Sequence, residues 1–316
     1  MRILIYGGGA IGLYLSARLA QADHDVTLKA RGETLSQAAA GAPLVLRRGE
    51  EAEEVGSVTV LGELDQGEEP YDLAILATKA WQVEDAAAEI APVLSSSGRL
   101  LTTQNGVDAP AQAGRHVPEE KVLAGTAVVI AERTAPLTVT LTGSEAALVL
   151  GSLHRSSGDD VDQRTVSALV RAGIFAQWSE DILTALWKKL ALVASYGGVG
   201  ALSGVPVGIA RAVPQTKALV RNAMLEVFNV GNARGADLQE QDLEDIMGTF
   251  TQKFSETTTA SMQRDLLEGR PSELRDQVGA VVAHARELGI DVPIFETIYA
   301  SQLPRELQAR AAAKQS

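Results

Sequence analysis

The stretch Met1-Arg-Ile-Leu-Ile-Tyr-Gly-Gly-Gly-Ala-Ile-Gly12 decides the fold. Ile3 to Tyr6 is a short apolar run with no polar alternation, the pattern of a parallel strand buried on both faces. Gly7, Gly9 and Gly12 follow at once in G-x-G-x-x-G spacing. Ala10 to Ala22, rich in Ala and Leu, then reads as a helix. A strand, a glycine turn and a helix in that order describe a dinucleotide site. Gly7 allows the tight turn, Gly9 lets a pyrophosphate approach the backbone, and Gly12 lets helix and strand pack closely. The phosphates sit on N–H groups of Ala10, Ile11 and Gly12 at the positive end of the helix. A glycine-rich turn in some other α/β domain is the alternative reading.

A chain of 316 residues exceeds what one core usually serves, so two domains are expected. The net charge of -12 argues against a nucleic-acid surface, although a local basic pocket for an anionic ligand is compatible with it. With no cysteine, disulfides, thiolate nucleophiles and Cys-ligated metals are excluded. His24, His116, His154 and His284 are scattered without metal-ligand spacing and read as surface or packing residues. No apolar run is long enough to span a membrane, and the glycines interrupt any signal-peptide core. The expectation is a cytoplasmic protein with no metal.

The second strand, His24 to Lys29, ends where a dinucleotide fold selects its cofactor. NAD sites place Asp or Glu there for the ribose 2′-hydroxyl, and NADP sites place a cation for the 2′-phosphate. Lys29 and Arg31 alternate, so as strand residues they point the same way, and the Arg31 fork suits a phosphate. This favours NADP(H). Glu33 serving the ribose beside two solvated cations is the alternative. Leu44–Arg47 and Val58–Leu61 read as short strands, and Leu73–Ala77 as another buried parallel strand ending in Thr78-Lys79. Ligands bind beyond the carboxyl ends of such strands. Lys79 therefore faces cofactor or substrate, or is a solvated lysine opening the next helix. Ala80–Leu94 reads as a helix ended by Ser95-Ser-Ser-Gly98. Leu100–Thr103 is a strand ended by Gln104-Asn105-Gly106, where Asn105 either donates to a ligand or makes a plain Asn-Gly turn. Val122–Ala131, Leu137–Thr142 and Ala147–Leu150 are expected to close the sheet in antiparallel fashion, and Asp159–Ala172 to form a capped amphipathic helix.

Strand signals vanish near Glu180, which sets residues 1–179 apart from a helical domain, 180–316. That domain opens on Asp181–Ala194, apolar nearly all round. Lys188 and Lys189 interrupt it at different angles. One can reach solvent, and the other needs a polar pocket and a partner, because an unpaired buried ammonium is costly. Snorkelling of both to water is the alternative. Lys189, Val193 and Gly197 share a face. Gly197-Gly-Val-Gly200 and Ser203-Gly-Val-Pro206 are expected to interrupt or turn the chain. Further helices are expected over 217–233, 240–253, 257–268 and 272–288. Glu273 falls in the first turn of the last, where a simple capping role is open to it. The tail after Gln308 is expected to fray.

In order along the chain, Gly7-Gly-Gly-Ala-Ile-Gly12, Thr78-Lys-Ala-Trp-Gln82, Gln104-Asn-Gly106, Leu186-Trp-Lys-Lys-Leu-Ala191, Ser261-Met262, and Glu273 with Gly279 resemble the ketopantoate reductase family. The resemblance implies an α/β fold with an N-terminal Rossmann-type domain and an all-helical C-terminal domain. It also implies NADPH-dependent reduction of a small-molecule 2-keto acid. Carried over, Lys189 resembles the general acid, and Glu273 the acidic residue that contacts substrate and orients the lysine. Asn105 and Lys79 resemble the polar groups on the cofactor and substrate side, Ser261 the hydroxyl on the substrate carboxylate, and Arg31 the 2′-phosphate ligand. Two family asparagines that follow the lysine at one-turn intervals are replaced by Val193 and Gly197, and a third by Val278. An apolar group and a gap thus stand where polar substrate contacts are expected, which opens the substrate to a bulkier or more apolar keto acid or an imine. A non-catalytic NADP-binding sensor is the other reading, and retention of both Lys189 and Glu273 weighs against it. A short-chain dehydrogenase is disfavoured, since no Tyr-x-x-x-Lys occurs. The Gly- and Ala-rich helical part leaves a homodimer open.

Overall fold

The structure, a computed structural model, describes residues 1–313. It divides into two compact units. One comprises Met1–Gln104 with Ala109–Ile182, and the other Asn105–Asp108 with the chain from Leu183 onward.

The first unit holds strands β1 (Arg2–Tyr6), β2 (Asp25–Lys29), β3 (Leu44–Arg48), β4 (Glu51–Val55), β5 (Val58–Leu61), β6 (Tyr71–Leu76), β7 (Leu94–Thr102), β8 (Val122–Val128), β9 (Ala131–Ala135), β10 (Thr138–Leu141), β11 (Ala147–Gly151) and β12 (Phe175–Trp178). Its helices are α1 (Ala10–Gln21), α2 (Gly32–Ala39), α3 (Val83–Ile90), α4 (Ala109–Ala113) and α5 (Asp160–Arg171). Eight strands form one sheet in the order β12-β11-β8-β7-β6-β1-β2-β5. β1 pairs in parallel with both β2 and β6. The chain order therefore runs outward in both directions from β1, which makes its carboxyl end the switch point at which open α/β sheets bind ligands. The apolar run of β1 divides by alternation between two cores. Ile3 and Ile5 pack with Leu13 and Leu28, and Leu4 packs with Leu76, Ile90 and Leu100. This is the Rossmann-type architecture expected.

Some local expectations are corrected. Only β11 adds antiparallel, to β8. β9 and β10 leave the main sheet for a separate one ordered β4-β3-β10-β9. β4 reads Glu-Ala-Glu-Glu-Val and is exposed over its first four residues, so no apolar alternation announced it. β12 is a four-residue edge strand parallel to β11. The helix expected to reach Leu94 ends at Ile90, and Ser95–Gly98 belong to β7, which starts at Leu94 and whose register against β6 shifts between Tyr71 and Leu73. The α5 N-terminus is capped by Asp159, whose carboxylate accepts from the N–H groups of Val161 and Asp162.

The second unit consists of α6 (Ile182–Ser203), α7 (Val207–Ala212), α8 (Pro214–Ala233), α9 (Glu240–Gly248), α10 (Ser261–Leu267), α11 (Ala280–Leu288) and α12 (Pro293–Ala313). A π-helical turn, Thr249–Lys253, extends α9, and another, Arg275–Gly279, leads into α11. The glycines Gly197, Gly198 and Gly200 do not interrupt α6, which runs through them. Helix contacts hold them in line. A Cβ at Gly197 would stand 2.7 Å from the Ala260 Cβ, and one at Gly200 2.5 Å from Gln263 Oε1. At Gly197 the crossing segment thus approaches closer than a side chain permits. The tail is helical through Ala313, against the expected fraying, and Lys314–Ser316 lie outside the described residues. Among the described residues no helix is long and apolar enough to cross a membrane.

Candidate active site

Within the first unit the glycine turn leaves β1 and enters α1. Gly7 has φ +122°, and a Cβ there would lie 2.8 Å from the Ala77 carbonyl oxygen. At Gly12 a Cβ would fall 1.8 Å from the Gly7 carbonyl oxygen, so only glycine lets α1 fold back on the turn. Gly9 differs, because none of the described residues lies within 4 Å of its absent Cβ, and the backbone is open on that side. Gly9 is also the α1 N-cap, with no side-chain cap and no acidic residue in the first turn. The N–H groups of Ala10, Ile11 and Gly12, which no preceding helical turn can accept from, thus begin an uncapped helix of 12 residues. Beside the turn, the Thr78 hydroxyl is buried and has no hydrogen-bond partner among the described residues. An open glycine face, an uncapped helix start and an orphaned hydroxyl fit a dinucleotide pyrophosphate.

The two cations after β2 part company. Lys29 donates to the Gly62 carbonyl, lies 3.5 Å from Glu89 and has its ammonium 5.6 Å from the Tyr6 ring centre. Arg31 is exposed at the N-cap of α2, and Glu33 is exposed in its first turn. Lys29 is thus spent on joining strands, and Arg31 is the cation left facing solvent. Lys79, half-buried, follows β6 by three residues and has its ammonium 6.0 Å from the Trp81 ring centre.

Within the second unit α6 separates its lysines. Lys188 pairs with Asp242 at 2.6 Å and Asp245 at 3.5 Å. Lys189 keeps part of its side chain accessible, but its ammonium is enclosed. Loss of hydration lowers its pKa from 10.5 to about 8, and the Glu273 carboxylate opposes that fall. Glu273 is buried. It does not sit in a helical first turn, as the sequence suggested, but just ahead of Leu274, whose N–H is capped by the Ser272 hydroxyl at 3.2 Å. Gln277 reaches back to the Glu273 carboxylate at 3.4 Å. Ser272 is pinned in turn by buried Glu306, which accepts from its N–H at 2.9 Å and its hydroxyl at 2.6 Å.

Val193 is half-buried one turn beyond Lys189. Gly197 is buried, with Ala260 filling the space its side chain would take. Ser261 begins α10 directly after that contact, half-buried, with a hydroxyl that makes no hydrogen bond to the described residues. Asn105 also belongs to this unit, and its amide has no partner among the described residues. Gly106 beside it has φ +154°, and a Cβ there would meet the Asp276 carbonyl oxygen at 3.0 Å. Asp108, Ser272, Gln277, His284 and Glu306 were not singled out from the sequence as parts of a site. Asp108 and His284 touch across 176 positions, a separation that no local pattern signals.

Residues 3–155 match the family model described as ketopantoate reductase PanE/ApbA, and residues 181–303 match its C-terminal model. A 2-dehydropantoate 2-reductase of Mesorhizobium japonicum is 28% identical, covering 95% of this chain and 96% of that protein. The crystal structure of a PanE/ApbA family ketopantoate reductase from Ralstonia eutropha JMP134 superposes with a TM-score of 0.86 at 27% identity, covering 98% of this chain and 100% of the other. D-mandelate dehydrogenase, solved with NADH and anilino(oxo)acetate, gives 0.88 at 20% identity, over 98% of this chain and 99% of its own, a likeness of fold.

Proposed function

The chain belongs to the ketopantoate reductase PanE/ApbA family of oxidoreductases, and on that premise we propose that it reduces a 2-keto acid to the 2-hydroxy acid with NADPH, 2-dehydropantoate being the leading substrate. The observation that carries the reading is Lys189, an enclosed ammonium with a pKa of about 8 under the influence of buried Glu273. Such a group is protonated at neutral pH yet poised to release its proton, as a general acid needs.

The dinucleotide, when bound, supplies the hydride that reaches the keto carbon. Gly7, Gly9 and the α1 N-terminus would hold its pyrophosphate, and Arg31 would hold the 2′-phosphate. Lys189 Nζ donates its proton to the keto oxygen and, while still charged, stabilises the negative charge growing there. Glu273 keeps the ammonium oriented and charged. Ser261 and Asn105, with uncommitted polar groups, bind the substrate carboxylate and carbonyl. Lys79 serves the cofactor side.

A second reading, an apolar or aryl 2-keto acid, is favoured by one face of α6. Val193 and Tyr196 lie within one helical arc of Lys189, and the Tyr196 ring stands 5.0 Å from that of Phe254. A structural neighbour named D-mandelate dehydrogenase agrees with that reading.

The test follows NADPH oxidation by absorbance, with 2-dehydropantoate and a panel of apolar 2-keto acids, NADH as control and Lys189→Ala alongside. Saturable turnover that Lys189→Ala nearly abolishes, with NADPH binding intact, is the expected result. Normal turnover in that variant removes Lys189 from the chemistry. A better rate on an aryl keto acid selects the second reading.

A further inference from the structure

Asn105 has no strand or helix of its own to hold it, since it lies in the turn between β7 and α4. Its placement depends on what grips the next three residues. Gly106 closes to 3.0 Å, measured from its absent Cβ, on the Asp276 carbonyl oxygen in the π-helical turn that begins two residues after Glu273. Asp108 Oδ1 stands 2.8 Å from His284 Nε2 on α11. A carboxylate can only accept, so Nε2 carries the proton. The other ring nitrogen, Nδ1, is buried and meets no partner among the described residues, so the bond to Asp108 is the polar tether of this ring. Across its edge lies Trp187, with ring centres 5.5 Å apart. Trp187 is buried on α6, two residues before Lys189.

One imidazole therefore touches the turn that carries Asn105, belongs to the helix that continues from the Glu273 segment, and packs on the helix that carries Lys189. We propose that Asp108 and His284 are positioning residues: a latch that holds Asn105 in register with Lys189 and Glu273. The inference rests on the reductase reading above, in which those three residues serve one reaction. A donor displaced by about 1 Å costs up to a hundredfold in rate, whereas losing one partly exposed hydrogen bond costs stability little.

The test compares Asp108→Ala, His284→Ala, the double variant and Asp108→Asn in the full chain. The readouts are kcat and KM for the 2-keto acid that the wild type reduces best, together with hydrogen exchange over residues 104–108. Each alanine variant should lower kcat roughly tenfold with KM changed far less, and should speed exchange in that segment. The double variant should be no worse than either single one, because the two residues act as one device. Asp108→Asn, which keeps the accepting oxygen, should retain most of the rate. A kcat within twofold of wild type despite faster exchange overturns the positioning role. Unchanged exchange, or losses that multiply in the double variant, overturns the latch itself. If the wild type reduces no 2-keto acid, the reductase reading fails, and the exchange data alone still decide whether the pair holds the turn.

Discussion

Lys189 makes the sharpest demand on experiment. Its pKa falls from 10.5 to about 8, a difference that corresponds to about 3 kcal/mol against the charged form, at roughly 1.4 kcal/mol per pH unit. Burial is the larger cause, and Glu273 offsets part of it. At pH 7 about nine-tenths of the enzyme would carry the proton, and at pH 9 about one-tenth. A general acid works only while protonated. The kcat/KM for the keto acid should therefore be flat around pH 6 to 7, half-maximal near pH 8, and fall about tenfold per pH unit beyond about 9. Glu273→Gln removes the charge that favours the ammonium, so the alkaline limb should move to lower pH, by roughly one pH unit or more for a carboxylate in close range. The assay is initial-rate NADPH oxidation at subsaturating keto acid from about pH 6 to 10, for both proteins. The variant should lose more rate at pH 8 than at pH 6. An alkaline limb near the ordinary lysine range, or one that Glu273→Gln leaves in place or raises, would refute the assignment of Lys189 as a buried general acid held charged by Glu273.

Three further outcomes are expected. Gly9→Ala should melt like wild type, because its new methyl meets nothing within 4 Å, yet should bind NADPH more weakly, whereas Gly12→Ala, with its methyl 1.8 Å from the Gly7 oxygen, should fold poorly; thermal melts and cofactor titration separate the two. Arg31→Ala should weaken NADPH binding roughly ten- to a hundredfold, the worth of a charge-assisted hydrogen bond, and leave NADH unchanged; equal losses for both cofactors would return the 2′-phosphate to another residue. Val193→Asn should raise kcat/KM for 2-dehydropantoate relative to an aryl keto acid, since a placed donor discriminates strongly, while Gly197→Asn should mainly lower the melting temperature, overpacking against Ala260 by about 1–3 kcal/mol; a large gain in turnover from Gly197→Asn would show that the space there is open after all.

How far the sequence could be read depended on the range of the interaction concerned. β1, its glycines and α1 are contiguous, so the backbone needs of the turn are written into twelve consecutive residues, and the α/β unit followed from them. The two lysines of α6 could be told apart only as a necessity, that one must be enclosed. The neighbours that decide which one, Asp242 beside Lys188 and Glu273 beside Lys189, lie far along the chain. β4 escaped notice because its stability comes from pairing with β3 rather than from burial of its own glutamates.

The glycines of α6 carry the most instructive correction. In sequence, Gly197 looks like a break in a helix and, against the family pattern, like a missing side chain that enlarges a binding site. In the fold it is neither, because Ala260 occupies the volume and brings Ser261, the next residue, close against α6. The exchange of asparagine for glycine is thus coupled to how near α6 the Ser261 hydroxyl, proposed to hold the substrate carboxylate, can come. Val193 stays half-buried on the Lys189 face. Of the two departures on α6, Val193 is the one that, on the proposed reading, changes what a keto acid touches directly. Specificity should therefore follow position 193 and stability position 197.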